Sequence, residues 1–443
     1  MLTILSFIVV ILLGTGFLML PIATSSGQIA FIDAIFTATS AVCVTGLTVL
    51  DPGTYFTLFG QCVILTLIQV GGLGVMTISV VLFSAMGRSI SFRHRMVMQE
   101  VFSHAPREDI LQVVTTIISF TVVVETLGAI FLFIEWLPAY PLQRAIYLAV
   151  FHSISAFCNA GFCLFPDSMM RYSGHLIVNS TICSLIVLGG IGFPVVHNLH
   201  LKFKLRKSRR LKLDIQTKTV LVTTATLILL GTGMFWILER AHTLSDKPAA
   251  ESAMMAIFQS ITCRTAGFNT VDIGALNEAT LTVMIALMFF GASPGSCGGG
   301  VKTTTLALIA AFSWSRIRRK RRVNMFKKSI PSETVNKSIS LVLVCVGLIG
   351  GILFLILADS SVTGGAGREC ENRFLAYLFE SVSAFGTVGL SMNLTPLLSS
   401  WAKSWIALLM LIGRVGVLTF AYIIVGGGIA GGIEYSEENI MIG

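Results

Sequence analysis

The chain has 443 residues, 54% of them hydrophobic and only 12% charged, with a formal net charge of +9. Soluble domains carry roughly 25% charged residues, so this composition excludes a water-soluble globule and describes an integral membrane protein. Nine cysteines are scattered through apolar stretches without CxxC spacing or neighbouring histidines, which argues against a disulfide framework or a transition-metal site and leaves inert buried thiols.

The positive charge is concentrated in three places: Arg88, Arg93, Arg95 and Arg107, then residues 202–218, then residues 316–337. Each cluster lies in a short loop between apolar runs, so the positive-inside rule puts all three loops in the cytoplasm. Topology and attraction to anionic lipid account for the basic residues without nucleic acid.

Residues 2–21 form an apolar run long enough to span a membrane and lack the basic leader and cleavage motif of a signal peptide, so they read as a first retained helix. Residues 31–43 form a half-helix too short to span. It runs into Val44, Thr45 and Gly46, and a second long apolar run covers 56–85. One unit is therefore an outer helix, a re-entrant pore helix with its loop, and an inner helix. The plan recurs with outer helices at 110–134, 217–238 and 338–357 and inner helices at 176–199, 281–313 and 405–432. The half-helices between them end in Asn159-Ala160-Gly161, Thr265-Ala266-Gly267 and Thr387-Val388-Gly389.

Four similar units, residues 1–90, 108–200, 214–320 and 336–433, predict an all-α polytopic fold with eight spanning helices in a pseudo-fourfold arrangement around one pore. An even number of spans puts both termini in the cytoplasm, with 434–443 as a short acidic tail.

Each inner helix carries a glycine-rich element. Gly71-Gly72-Leu73-Gly74 and Gly189-Gly190-Ile191-Gly192 read as small residues permitting close packing. The third, residues 291–305, differs in kind: Gly291, Pro294, Gly295, Gly298, Gly299 and Gly300 precede Lys302 and three threonines. So many glycines with a proline break the helix in mid-membrane. Broken backbone at that depth is tolerated only where protein buries it or it lines a water-filled cavity. A nucleotide-binding P-loop does not fit, because Val301 separates Gly300 from Lys302 and no strand precedes. The fourth element, Gly413-Arg414-Val415-Gly416, puts a charge inside a span.

These residues suit an ion pathway. A loop entering the membrane exposes carbonyls that a desolvated cation can satisfy. Glycine lets backbones converge on an axis, and the partially negative C-terminal ends of the pore helices favour a cation. Arg414, expensive in a span, either faces the pathway as part of a gate or forms a structural ion pair. Lys302 either pins the broken segment or snorkels to the interface. Arg264 locks its pore helix, and Glu125 and Glu380 are candidate partners for such arginines. An enzyme is not expected, since His152 has no catalytic partner at the equivalent place in the other units. An inverted-repeat transporter would alternate the topology of its halves, whereas every unit here has the same order.

On the motifs around Gly267 and Gly389, the broken segment 291–305 and Gly413-Arg414, the sequence resembles the Trk/Ktr/HKT superfamily of potassium transporters, most nearly its KtrB membrane subunit type. The resemblance implies that Gly46, Gly161, Gly267 and Gly389 with their preceding residues form a selectivity filter. It also implies that residues 291–305 with Arg414 form a gate and that potassium is the transported ion. It further implies a homodimer in a bacterial cytoplasmic (inner) membrane, resting on a cytoplasmic ring of KtrA/TrkA-type nucleotide-binding subunits. Any nucleotide then sits on that partner, with no cofactor in this chain. Sodium-coupled secondary cation transport is the alternative function. No unit reads Thr-Val-Gly-Tyr-Gly.

Overall fold

The computed structural model describes residues 2–74, 110–204, 213–320, 322–359 and 372–417. The first basic cluster, most of the second, the distal parts of the predicted inner helices at 56–85 and 405–432, and the acidic tail lie outside these residues.

The first unit comprises α1 (Leu2–Leu18), α2 (Phe31–Val42) and α3 (Leu58–Leu73). The second comprises α4 (Ile110–Trp136), α5 (Leu142–Phe157), α6 (Leu176–Ile191) and α7 (Phe193–Lys204). The third holds α8 (Ile215–Glu239), α9 (Ala249–Thr262), α10 (Glu278–Phe289) and α11 (Thr303–Ile317). A small antiparallel hairpin, β1 (Val323–Met325) and β2 (Lys328–Ile330), leads to α12 (Ser332–Leu357), α13 (Arg373–Gly386) and α14 (Ser400–Val415). By length and composition, three described helices can cross a membrane: Val114–Trp136 within α4, α8 and α12. The pair α6 and α7 makes a fourth if counted as one span.

That pair corrects one expectation. The run at 176–199 is not one inner helix, because it bends by 92° between Ile191 and Phe193. Gly192 sits at the bend with φ of +96°, a conformation that an L side chain resists and that ends a helix. Pro194, two residues on, reinforces the stop. Gly74 and Gly416 end α3 and α14 in the same way, with φ of +85° and +98°. These glycines therefore terminate helices as well as permitting close approach. The predicted break in the third unit is present: α10 stops at Phe289 and α11 starts at Thr303.

Helix packing is cyclic. Each half-helix packs beside the outer helix that precedes it. In addition, α3 packs on α5, α6 on α9, α10 on α13, and α14 returns to α2. The first and last elements thus meet, and an ion pair marks the closure: Lys403 Nζ on α14 lies 2.8 Å from Asp33 Oδ1 in the first turn of α2. The four half-helices are almost wholly buried in their second halves, including the polar Ser40, Ser155, Thr262 and Ser383.

Removing one member of a largely buried pair leaves an uncompensated charge, which costs about 3 kcal/mol. Lys403→Met is expected to lower the thermal unfolding midpoint of the purified protein, and Asp33→Asn combined with it to restore most of the loss. Equal midpoints for single and double variants would show that the pair does not couple the two ends.

Candidate functional site

The C-terminal ends of α2, α5, α9 and α13 converge, and the chain leaves each by the same backbone path. Val44, Asn159, Thr265 and Thr387 adopt φ of +56°, +58°, +71° and +49°. Two residues later, Gly46, Gly161, Gly267 and Gly389 adopt φ of +92°, +69°, +78° and +91°. For non-glycine residues the left-handed region is uncommon, and for β-branched ones it is strained. Its occurrence at one register in all four segments points to a tertiary requirement.

That requirement is visible in what each glycine faces. A methyl group on Gly46 would lie 2.5 Å from the Ala160 carbonyl oxygen, and one on Gly161 2.9 Å from that of Ala266. On Gly267 it would lie 2.7 Å from the Val388 oxygen, and on Gly389 it would strike the Thr45 oxygen. Each glycine therefore abuts the carbonyl of the residue before the next glycine, and the fourth abuts the first. The predicted filter residues Val44, Thr45, Asn159, Ala160, Thr265, Ala266, Thr387 and Val388 are all fully buried.

Hydroxyls in the last turn of each half-helix fix the descending strand. Ser40 Oγ and Ser383 Oγ each accept the N–H of their glycine, Gly46 and Gly389, at 3.1 Å. Ser155 Oγ donates to Phe162 O at 2.7 Å, and Thr262 Oγ1 to Phe268 O at 2.6 Å. Sequence reading passed over these hydroxyls, although their place five or six residues before each glycine is a signal. His152 is held by ring stacking on Phe165 and by the Leu148 carbonyl, a structural arrangement.

Beside the glycines opens a vestibule of about 370 Å³ lined by Gly46, Gly161, Gly267 and Gly389 together with Asp51, Asp167 and Asp272. Asp167 is neutralised by Arg171 at 2.9 Å, and its hydrogen bond raises the Arg171 pKa. Asp51 and Asp272 accept only from neutral donors among the described residues, so the vestibule keeps negative charge that attracts cations.

The segment between α10 and α11 packs against the residues flanking the glycines. Gly291 and Gly298 crowd the Thr265 side chain, and Gly299 crowds that of Thr387. Gly299 N donates to Thr387 Oγ1 at 2.9 Å. Ser293 N and Cys297 N donate to the carbonyls of Gly190 and Gly189, which the ending of α6 releases, and Phe193 N donates back to Gly295 O. Gly300 N reaches Gly413 O on α14. Pro294 precedes Gly295, whose φ of +69° turns the chain, and Val301 bridges back to Phe290.

Arg414 joins this assembly, with no carboxylate partner among the described residues. Its guanidinium donates to the carbonyls of Cys297 in the loop and of Gly71 and Gly72 at the end of α3. Among the described residues the ion-pair partners suggested by charge are engaged elsewhere: Glu125 accepts from Gln69 at 3.1 Å and Glu380 from Thr395, and neither pairs with an arginine. Neutral carbonyls suffice because helix ends leave oxygens that need donors, and guanidinium offers five. Lys302 Nζ donates to Gly298 O at 2.8 Å, pinning the loop to itself. Arg264 is buried and donates to Thr224 Oγ1 on α8 at 3.3 Å, tying the end of α9 to its outer helix.

Removing the Arg414 head group leaves the Cys297 and Gly72 carbonyls without the donor they have here, while Gly71 O keeps the Gly74 N–H, costing about 1–3 kcal/mol for each buried oxygen left unpaired. In a background with Cys297 as the single cysteine, Arg414→Ala is expected to make this fully buried thiol react at least about tenfold faster with a small membrane-permeant reagent, since about 1.4 kcal/mol of local opening is tenfold. Unchanged labelling would mean that the arginine does not hold the loop.

Residues 1–425 match the family model described as TrkH, cation transport protein. The chain is 39% identical to Ktr system potassium uptake protein B of Vibrio alginolyticus, over 95% of this chain and 90% of that protein. It is 38% identical to the protein of the same name from Bacillus subtilis, over 94% and 90%. Identity to the potassium/sodium uptake protein NtpJ of Enterococcus hirae is 35%, over 99% and 95%. The crystal structure of the potassium transporter TrkH from Vibrio parahaemolyticus superposes with a TM-score of 0.70, covering 96% of this chain and 84% of that one at 18% identity, a likeness of fold.

Proposed function

The chain belongs to the TrkH family of cation transport proteins, and on that premise we propose that it takes up potassium across a bacterial cytoplasmic membrane through a gated, channel-like pore. The cyclic contact of Gly46, Gly161, Gly267 and Gly389 with the carbonyls of Thr45, Ala160, Ala266 and Val388 carries this reading. Four carbonyls drawn close to one axis, with no side chain between them, can replace the hydration shell of a cation. The four units are related by a pseudo-fourfold axis and contribute eight spans, the glycine-ended helices counting as the inner ones. Negative half-helix ends and the acidic vestibule raise cation occupancy at the entrance. Two relatives named as potassium uptake proteins support potassium as the ion, whose passage inward the membrane potential drives at about 2.3 kcal/mol per charge per 100 mV.

Residues 291–302 with Arg414 are the gate. They sit against Thr265 and Thr387 and are held by hydrogen bonds to the second and fourth units. A regulatory subunit at the cytoplasmic basic loops acts on the gate by making different contacts in its two states. The name Ktr system implies such a partner for the relatives. By this reading the chain is a homodimer and the partner is a ring of nucleotide-binding subunits. A second reading, coupling to or co-permeation of sodium, is favoured by the relative named as a potassium/sodium uptake protein.

Rubidium and sodium tracer uptake into proteoliposomes tests both. The wild type is expected to prefer rubidium. Gly46→Ser, which pushes against the Ala160 carbonyl, is expected to reduce that preference about tenfold, equivalent to about 1.4 kcal/mol. An unaltered ratio removes Gly46 from the filter, while rubidium uptake that requires sodium establishes the second reading. Deleting residues 291–300 is expected to raise flux about tenfold. A folded deletion protein that conducts no faster places the gate elsewhere.

A further inference from the structure

Where α11 hands over to α12, a cleft of about 490 Å³ lies outside the pathway. It is lined by Phe312, Arg316, Arg322, Ser329, Ser332 and Val335 among others, with no carboxylate among the described residues of its wall. Four features give it one chemistry. Two arginines from different segments, Arg316 and Arg322, line one space, and the Arg316 guanidinium lies over the Phe312 ring, also of the lining, at 5.0 Å. The first turn of the 26-residue α12 begins at Ser332 without a side-chain cap, so its free N–H groups and positive dipole end are available to an anion. Ser332 adds a hydroxyl. Nearby Glu333 is turned to Lys337, 2.6 Å away, instead of neutralising the arginines.

We propose that this cleft binds a phosphate-bearing group, and that its source is the headgroup of an anionic phospholipid. Arginine and helix N-termini both match phosphate oxygens in hydrogen-bond geometry. The lipid source follows from position. The cleft opens at the start of α12, one of the helices long and apolar enough to cross the membrane. Trp314 and Ile317, in the last turn of α11, are 58% and 74% exposed, and Arg318 lies over the Trp314 ring at 4.7 Å, an arrangement of aromatic and basic side chains suited to the membrane interface. Phe312 and Val335 give the start of an acyl chain an apolar wall, which free phosphate does not need.

The test uses the full-length protein in neutral detergent micelles, following quenching of Trp314 fluorescence, taken as the difference from Trp314→Phe. Titrants are brominated phosphatidylglycerol, brominated phosphatidylcholine, and inorganic phosphate as competitor. Saturable quenching by the glycerol lipid at a mole fraction at least tenfold below the choline lipid is expected. Arg316→Gln and Arg322→Gln should each raise that mole fraction about fivefold or more, Arg316→Lys less, and the outward-facing Arg319→Gln and Lys320→Gln not at all. Native mass spectrometry of the same proteins, expected to show one retained phosphatidylglycerol per chain lost in Arg322→Gln, separates weakened binding from misfolding. Equal quenching by both lipids, or an equal shift in all variants, overturns the site. Reversal of quenching by millimolar inorganic phosphate overturns the lipid assignment and leaves a free-anion site.

Discussion

Four backbone segments touch where they do only because each presents a hydrogen atom, in place of a side chain, to a carbonyl of its neighbour. With Gly46, Gly161, Gly267 and Gly389 forming that contact, the carbonyls before them are packed closely and are not consumed by regular secondary structure. In a membrane interior such groups must be satisfied inside the protein or by what passes through it. The rest of the structure holds this unfavourable convergence in place. Helix packing runs from unit to unit and closes through Lys403 and Asp33. Left-handed residues two positions before each glycine set the angle of descent. Hydroxyls from the last helical turn fix the strands from behind.

The same principle governs the layer beneath. A helix that stops inside the protein leaves carbonyls without donors, and here the stops and the loop answer each other. The oxygens of Gly189 and Gly190 receive N–H groups of Cys297 and Ser293, and those of Gly71 and Gly72 receive the Arg414 guanidinium, which also holds Cys297. A charge that would be costly in lipid becomes the donor for backbone carbonyls of two different segments, the loop and the end of α3.

The charged side chains have different partners in different parts of the molecule. Asp51 and Asp272 keep the vestibule negative while Arg171 cancels Asp167. Arg264 and Arg414 are spent on hydroxyl and carbonyl partners within the protein, and the basic residues near α11 and α12 lie at the far end of those helices, beside Trp314. The ring of His152, Phe165 and Trp136 that packs behind the second segment is apolar support.

By itself the sequence determined the membrane class, the four glycine-centred segments and the break between Phe289 and Thr303. These signals are local: composition, a recurring half-helix with glycine, and a run of glycines with proline that no helix accommodates. Only the tertiary structure decided what each glycine is for. Gly192 and Gly46 look alike in sequence, yet one ends a helix at a 92° bend and the other abuts a carbonyl more than a hundred residues away. The partner of Arg414 was equally illegible, because carbonyls carry no letter in a sequence; whether an oxygen is free depends on where its helix ends and what packs against it. Glu125 and Glu380 were the natural guesses from charge alone. Geometry gave them to Gln69 and Thr395, since a guanidinium is satisfied by the nearest unpaired acceptors, and helix breaks had already placed those beside it.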